Sequence, residues 1–381
     1  MRPRLRSLDV FRGATVALMI LVNNPGSWGH LFPPVAHAPW HGCTPTDLVF
    51  PFFLFAVGNA LGLVMPALAA LAAAAFWRKV ATRTLLIFAI GVLLNVSPFA
   101  HWNGAGELAW NHPAQWRLMG VLQRIALAWG AAAVIVRHGG GLRAVPAWCA
   151  ALLLGYWGAC VAFGAPGDAY SLEGFFGTAL DRALLGPSHL YGGEGVPFDP
   201  EGLASTVPAV AQVLIGLAVG EHVRRAPPDH ALVSRLFMLA LGLCAAAYAW
   251  SLAMPINKKL WTSSYVLLSS GIAIAVLASL LATIEIGGRD AAWMRAAEVF
   301  GRNALLIYMI SQLVPGIVAL LSWPDGAAPS RTDAFRWLFA HAFAPLASDL
   351  RVGSLLFAVT SVSAYWAMGR WLARRGLVLK I

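Results

Sequence analysis

The chain alternates between long apolar blocks and shorter polar segments. Each block is close to the roughly 20 residues that an α-helix needs to cross the hydrocarbon core of a bilayer. Backbone groups that face lipid must pair within their own segment, so the pattern predicts an all-α, polytopic membrane helix bundle. About ten transmembrane helices are expected, at roughly residues 8–24, 47–70, 80–97, 118–136, 144–164, 206–223, 232–252, 262–283, 301–321 and 352–372.

Composition agrees with this class of fold. The chain has 381 residues, of which 59% are hydrophobic and 12% are charged, whereas a soluble domain carries about 25% charged residues. The alternating pattern typical of a transmembrane β-barrel is absent from the sequence. No long soluble region interrupts the blocks, so residues 1–381 are expected to form a single transmembrane domain. An amphipathic segment at 335–348 is expected to lie along the membrane interface.

The basic residues indicate how the chain is oriented in the membrane. Nineteen of the 27 lysines and arginines lie at the two ends of the chain or near the connections after the second, fourth, sixth and eighth predicted spans. Cytoplasmic connections carry such an excess, so both termini are expected to be cytoplasmic. The connection between the first two spans then faces the opposite side. The net charge of +10 reflects this topology, and no nucleic-acid partner is expected.

The cysteines indicate neither a disulfide framework nor a metal site. Three of the four lie in apolar runs, and no CxxC pair exists in the sequence. No metal is therefore expected to take part in the function. The four residues are Cys43, Cys149, Cys160 and Cys244.

The stretch 22–58 combines polar side chains with two apolar runs. Asn23 closes the first run, Asp47 opens the second, and His37 lies in the connection between them. A structural interpretation is available, because Asn-Asn-Pro is a good helix stop and Thr-x-Thr-Asp is a good helix start. A functional interpretation is also available, because polar groups at the mouth of two apolar helices are costly and often serve a site.

The chemistry that these side chains suit is acyl transfer. A carboxylate that orients a histidine, which then acts as a base, is a common arrangement in that reaction class. The candidate catalytic residues are therefore His37, Asp47 and Asn23. His41 is a rival for the role of the base, and His30 is a weaker one.

Several arginines are candidates for binding a cofactor. Arg124 lies one or two turns inside an apolar run, where it is costly unless it is paired or faces a cavity. Arg12, Arg83 and the pair Arg302-Asn303 lie at predicted cytoplasmic helix ends. They would suit the phosphates of a cofactor that enters from the cytoplasm. Anchoring by the positive-inside rule explains these helix-end arginines without any ligand.

A polar break separates the seventh and eighth predicted spans. It contains Asn257 and Lys258, followed by a second lysine. The break is either a plain outer loop or a source of hydrogen bonds to a substrate beside His37. Together with His41, these two residues are the candidates for binding the substrate.

Seven blocks of the sequence together resemble the heparan-α-glucosaminide N-acetyltransferase family and its bacterial NagX-like members. The resemblance runs in order over almost the whole chain. The blocks are SLDVFRG at 7–13, VNN at 22–24, HAPWHGCTPTDLVFPFFLFAVG at 37–58, GVLQRIA at 120–126, FDPEGLASTVPAV at 198–210, INKKLWTSSYV at 256–266 and GRNALLIY at 301–308.

This resemblance implies a membrane acetyltransferase of the bacterial inner membrane. It would move acetyl from cytoplasmic acetyl-CoA to the amine of a glucosamine-type sugar on the periplasmic side. The family's active histidine falls on His37, and its supporting residues fall on Asn23 and Asp47. His37 would either deprotonate the acceptor amine or carry the acetyl group covalently. The implied partners are the lipid bilayer, acetyl-CoA and the amino sugar, and a homodimer is one candidate assembly.

A permease for an amino sugar such as N-acetylglucosamine is the alternative function. A ten-span bundle with polar breaks would suit it, and such a protein needs no acetyl-CoA. Transfer of labelled acetyl to an amino sugar by purified protein, without vesicles, distinguishes the enzyme from the permease.

The charge distribution predicts that His37 lies on the periplasmic side. In a chain whose native cysteines are replaced by serine, His37→Cys should react with a membrane-impermeant thiol reagent applied to intact cells. Labelling that appears only after the cytoplasmic face is opened would reverse this topology.

Overall fold

The computed structural model describes residues 5–326 and 330–377, and this part of the chain confirms the all-α prediction. Short turns and small hairpins connect the helices. The helices are α1 (Arg6–Asn23), α2 (Val49–Ala69), α3 (Ala73–Val96), α4 (Val121–His138), α5 (Val145–Phe163), α6 (Phe176–Leu185), α7 (Leu203–Arg225), α8 (His230–Ser251), α9 (Ser263–Leu280), α10 (Ala292–Arg302), α11 (Ala304–Leu320), α12 (Ala334–Leu338) and α13 (Leu350–Arg374).

Within the described residues, seven helical stretches are long and apolar enough to cross a membrane. They are Pro45–Ala69, Ala73–Val96, Gly141–Phe163, Leu203–Arg225, His230–Ser251, Ser263–Ile286 and Leu350–Arg374. The pair α10 and α11 bends by 82° and would add an eighth span. The predicted spans 8–24 and 118–136 are also helices, α1 and α4. The number of ten spans and the cytoplasmic termini stay predictions.

The bend between α10 and α11 lies at Asn303. This residue leaves helical geometry, with φ −126° and ψ 38°, and its buried side chain donates a hydrogen bond to the carbonyl of Leu377, 2.9 Å away. This bond holds the corner against the C-terminal end of the described chain. The sequence block 301–308 thus contains a corner, whereas the hydrophobic pattern predicts a helix that continues through it.

Helices α2 and α7 form the centre of the bundle and are buried along most of their length, whereas α3, α5 and α8 are largely exposed. Glycines allow the two backbones to touch. A Cβ atom at Gly58 would lie 2.2 Å from the carbonyl oxygen of Val213, and one at Gly216 would lie 2.4 Å from that of Phe55. Small residues at a helix contact permit the close approach that drives association in lipid.

Two short hairpins lie in the long connections. Strands β1 (Ala100–Trp102) and β2 (Leu108–Trp110) pair antiparallel, as do β3 (Trp323–Pro324) and β4 (Arg331–Thr332). The guanidinium of Arg331 stacks on the ring of Trp102 at 3.5 Å and links the two hairpins. These connections are thus ordered by their aromatic residues.

The contact between α2 and α7 predicts opposite effects for two glycine substitutions. At Gly155, a helical position, an added Cβ atom would meet nothing within 4 Å beyond the helix's own backbone. Gly155→Ala should therefore raise stability by about 0.5–1 kcal/mol, the usual gain in a helix. Gly58→Ala should lower it by about 1–3 kcal/mol, because the new methyl group meets rigid backbone. Thermal unfolding in detergent measures both, and equal melting temperatures would contradict the close packing.

Candidate active site

The local fold brings the end of α1 to the beginning of α2. Asn23 is the last residue of α1, and a short 3₁₀ turn, Pro45–Leu48, leads into α2. The carboxylate of Asp47 accepts hydrogen bonds from the backbone N–H and the hydroxyl of Thr44, each at 3.0 Å. This is a capping box, so the predicted helix start at Thr44–Asp47 is confirmed.

The same carboxylate holds His37. Its Oδ1 atom lies 2.6 Å from Nδ1 of His37, and its Oδ2 atom also accepts the backbone N–H of Ala38 at 3.0 Å. An ionised carboxylate only accepts hydrogen bonds, so Nδ1 is assigned the proton and Nε2 keeps its lone pair. Asp47 is 1% exposed and His37 is 42% exposed. A buried carboxylate therefore orients an imidazole that a substrate can reach.

Lys258 completes the group from a distant part of the sequence. Its Nζ atom lies 3.1 Å and 3.3 Å from the two ring nitrogens of His37, and 3.6 Å from Oδ1 of Asp47. Burial lowers the pKa of Lys258, and the negative charges of Asp47 and Glu201 oppose that shift. The carboxylate of Asp47, the imidazole of His37 and the ammonium of Lys258 form a compact cluster.

Asn257 fixes the loop that carries Lys258. Its backbone N–H donates to the hydroxyl of Thr262 at 3.0 Å, and its side-chain oxygen accepts the N–H of Leu260 at 2.9 Å. The side-chain nitrogen lies 3.3 Å from Nδ1 of His41. Burial lowers the pKa of His41. Of the described residues, Lys258 lines the cavity beside His37, whereas Asn257 and His41 are not in its lining.

A cavity of about 430 Å³ opens in front of the cluster. Asn23, His37 and Asp47 all line it, so the structure brings together the three predicted catalytic residues. Its other aromatic and charged lining residues are Trp28, Trp40, Phe50, Arg117, Tyr191, Glu194, Glu201, Lys258, Lys259 and Tyr308. The site is therefore polar and bounded by aromatic rings.

A second charged network supports the wall of this cavity. Arg117 donates to both oxygens of Asp199, at 2.9 Å and 2.7 Å, and to Glu201 at 2.6 Å. Burial disfavours its charge, but the two carboxylates more than compensate, and the pKa of Arg117 lies above its ordinary value. Arg117 is not among the candidate residues predicted from the sequence. Its partners lie in the block FDPEGL, which was the available signal.

Arg124 lies fully buried behind this wall. Its guanidinium donates to the carbonyl of Pro200 at 2.7 Å and to the hydroxyl of Ser205, and it stacks on the ring of Trp261 at 4.7 Å. Within the described residues, its Nε and Nη1 atoms have no hydrogen-bond partner. Pro200 lines the cavity, so Arg124 lies close to the cavity beside His37.

The other candidate arginines have different surroundings. Arg12 lines a larger groove of about 1200 Å³ at the opposite end of α1, and it donates to the carbonyl of Gly301 at 2.5 Å. Arg83 stacks on Trp129 at 4.5 Å. Arg302 is exposed beside the bend at Asn303. The groove also contains Arg224 and Arg225, which the sequence analysis assigned only to topology.

Among the described residues, no group of three or more His, Cys, Asp or Glu side chains is arranged to hold a metal ion. The cavity beside His37 presents an imidazole, carboxylates, ammonium and guanidinium groups, and the side-chain amides of Asn23 and Gln312.

The sequence is similar to known acetyltransferases. Residues 4–236 match the family described as "Heparan-alpha-glucosaminide N-acetyltransferase, catalytic". The heparan-alpha-glucosaminide N-acetyltransferase of Homo sapiens is 28% identical in an alignment of 360 residues that covers 81% of this chain and 52% of that protein. That of Mus musculus is 28% identical in an alignment of 359 residues that covers 80% of this chain and 53% of the relative. The chain thus spans about half the length of these curated relatives.

The family match covers more than half of the chain and contains both α1 and α2, with the histidine between them. The chain belongs to the heparan-alpha-glucosaminide N-acetyltransferase family.

Proposed function

We propose that this protein is a transmembrane acetyltransferase that moves acetyl from cytoplasmic acetyl-CoA to the amine of a glucosamine-type sugar on the periplasmic side. The observation that carries the proposal is the 2.6 Å contact between Nδ1 of His37 and the buried carboxylate of Asp47. It leaves Nε2 as a base in a cavity that Asn23 also lines. Names of the relatives support acetyl transfer to an amino sugar.

The proposed reaction needs one proton to move twice. The lone pair of the acceptor amine attacks the acetyl carbonyl carbon, and Nε2 of His37 takes a proton from the nitrogen. The C–S bond then breaks, and the leaving sulfur receives that proton as CoA thiol. In the covalent alternative, Nε2 itself attacks the thioester, the C–S bond breaks and CoA leaves as the thiolate; the amine then takes the acetyl group from the ring, and the proton that it releases neutralises the thiolate. A ping-pong kinetic pattern would distinguish the second route from the first.

The positions of the two cavities support entry of acetyl-CoA from the cytoplasmic side. We call the groove of about 1200 Å³ the inner groove and the cavity beside His37 the outer cavity. On α1, Arg12 lines the inner groove and Met19 lines the outer cavity. These residues are seven apart, so they lie on one face of the helix about 10 Å apart along its axis. Val49 and Ala56 on α2 have the same relation. The contact between α1 and α2 therefore runs from Arg12 and Ala56 at one site to Met19 and Val49 at the other. We call this contact the seam.

Apolar side chains fill the seam between the sites. Val16 and Phe53 are both buried there in the same hydrophobic cluster. We place the phosphates of CoA in the inner groove with Arg12, the uncharged pantetheine arm along the seam, and the thioester near His37. Arg124 would then donate hydrogen bonds to the acetyl end. Arg83, Arg302 and Asn303 stay candidates for the phosphates.

The lining of the outer cavity suits a sugar with an amine. Pyranose rings pack on aromatic faces, which Trp28, Trp40 and Tyr191 offer here. Glu194 and Glu201 provide carboxylates for hydroxyl or ammonium groups. We place the acceptor in this cavity, and we assign Asn257 and His41 to the loops that border it.

Loss of the base should abolish the reaction while the fold persists. We expect His37→Ala to lower the rate of acetyl transfer to purified amino sugar by about 10²–10⁴. Asp47→Asn should lower the rate less, because the imidazole that acts as the base remains, although its charged form is no longer stabilised by a carboxylate. The measurement is transfer of labelled acetyl in detergent, with acetyl-CoA binding as the control for folding.

His41→Ala is the matched control for this experiment, and it should keep most of the activity. If activity survives in His37→Ala and is lost in His41→Ala, the base is His41. If wild-type protein transfers no acetyl to any amino sugar but carries one into vesicles, the protein is a permease.

The unpartnered guanidinium atoms of Arg124 predict a role in binding acetyl-CoA. Arg124→Ala should weaken the binding of acetyl-CoA about tenfold or more, because a charged donor in a buried site is lost. Isothermal titration calorimetry measures the affinity. Arg143→Ala, at an exposed arginine, is the control. Unchanged affinity in a stably folded Arg124→Ala variant would make the residue structural.

A further inference from the structure

Two neighbouring lysines enter the outer cavity, and they have different surroundings. Lys259 donates to Glu194 at 2.6 Å and to the carbonyl of Pro39 at 3.1 Å, so its charge is used to join two loops. Lys258 instead lies against His37, with Asp47 as its nearest carboxylate at 3.6 Å. Only Lys258 of the pair is thus directed at the catalytic histidine.

The ammonium of Lys258 does not donate a hydrogen bond to the lone pair of a single ring nitrogen. Its distances to Nδ1 and Nε2 of His37 are nearly equal, 3.1 Å and 3.3 Å. The group therefore lies over the face of the ring near both nitrogens, because in the ring plane it would clash with the carbon between them. Nδ1 is already bonded to Asp47. An acetyl carbon placed for reaction beside Nε2 would have its carbonyl oxygen within hydrogen-bonding range of the same ammonium.

We propose that Lys258 is a catalytic residue whose ammonium binds the carbonyl oxygen of the transferred acetyl group. This inference rests on the proposed acetyl transfer and adds a role to it. When the amine lone pair forms the C–N bond, the carbonyl π electrons move to oxygen, and negative charge develops there. Lys258 stabilises that charge until the C–S bond breaks and the electrons return to the carbonyl. Preorganised donors of this kind supply a large part of enzymatic rate enhancement.

The charges around the cluster fit this role. The groups that act on Lys258 are Asp47, Glu201 and Cys43, and Arg117, Lys259 and Glu194 line the same cavity. Asp47 balances the charge of Lys258 in the resting site, whereas Arg117 and Lys259 are already paired with Asp199, Glu201 and Glu194. The ammonium is held in place by a carboxylate that is itself bonded to His37, so it needs little reorganisation during the reaction.

Two variants test the inference. Lys258→Met keeps the length of the side chain and removes the charge, and it should lower kcat by about 10²–10³, as loss of one oxyanion donor does, with a small change in the KM for the acceptor. Lys258→Arg should retain part of the rate. Lys79→Met, at an exposed lysine on α3, is the control and should match wild type.

The pH profile separates a catalytic role from a structural one. Because burial lowers the pKa of Lys258, the wild-type rate should fall at alkaline pH as the ammonium is lost. In Lys258→Arg this limb should move to higher pH, since a guanidinium stays charged. If the wild type transfers acetyl and Lys258→Met has an unchanged kcat, the role of Lys258 is overturned and the proposed function is not. Absence of acetyl transfer in the wild type overturns the proposed function.

Discussion

Burial of the carboxylate of Asp47 is the constraint on which the site depends. A carboxylate that is 1% exposed must be paired and hydrogen-bonded, because an isolated buried charge is very costly. Thr44, Ala38, His37 and Lys258 provide those partners. One group therefore begins α2, orients the imidazole and holds the ammonium in position. Stability of the helix start and geometry of the site cannot be separated in this arrangement.

Local sequence signals sufficed for two of the three side chains in the cluster of His37, Asp47 and Lys258. His37 and Asp47 are ten residues apart, between the end of one helix and the start of the next, so their proximity follows from chain connectivity and capping rules. Lys258 comes from a loop 221 residues away from His37. No pattern of apolar and polar positions encodes which distant loop packs on a given helix end. The sequence indicated a polar break there, and it left open whether this break is a plain outer loop or lies beside His37.

The arginines show a second limit of sequence reasoning. A basic residue at the end of an apolar run indicates depth in the membrane but not the side of the helix that it occupies. Arg12 shares a face of α1 with Met19, seven residues on, and so lies on the seam between the two cavities. Arg83 is directed to Trp129 and Arg302 to the exterior. Only the packing of the bundle distinguishes among these three.

On the proposed function, the separation of the two sites has a physical reason. The phosphates of CoA cannot enter an apolar bilayer core without a large desolvation cost, whereas a pantetheine arm carries no charge. The inner groove offers arginine, the seam offers Val16 and Phe53, and the outer cavity offers His37 with its charged partners. Each part of the cosubstrate thus meets a surface of matching polarity. Only the acetyl group then has to leave on the far side, which makes the reaction itself the step that crosses the membrane.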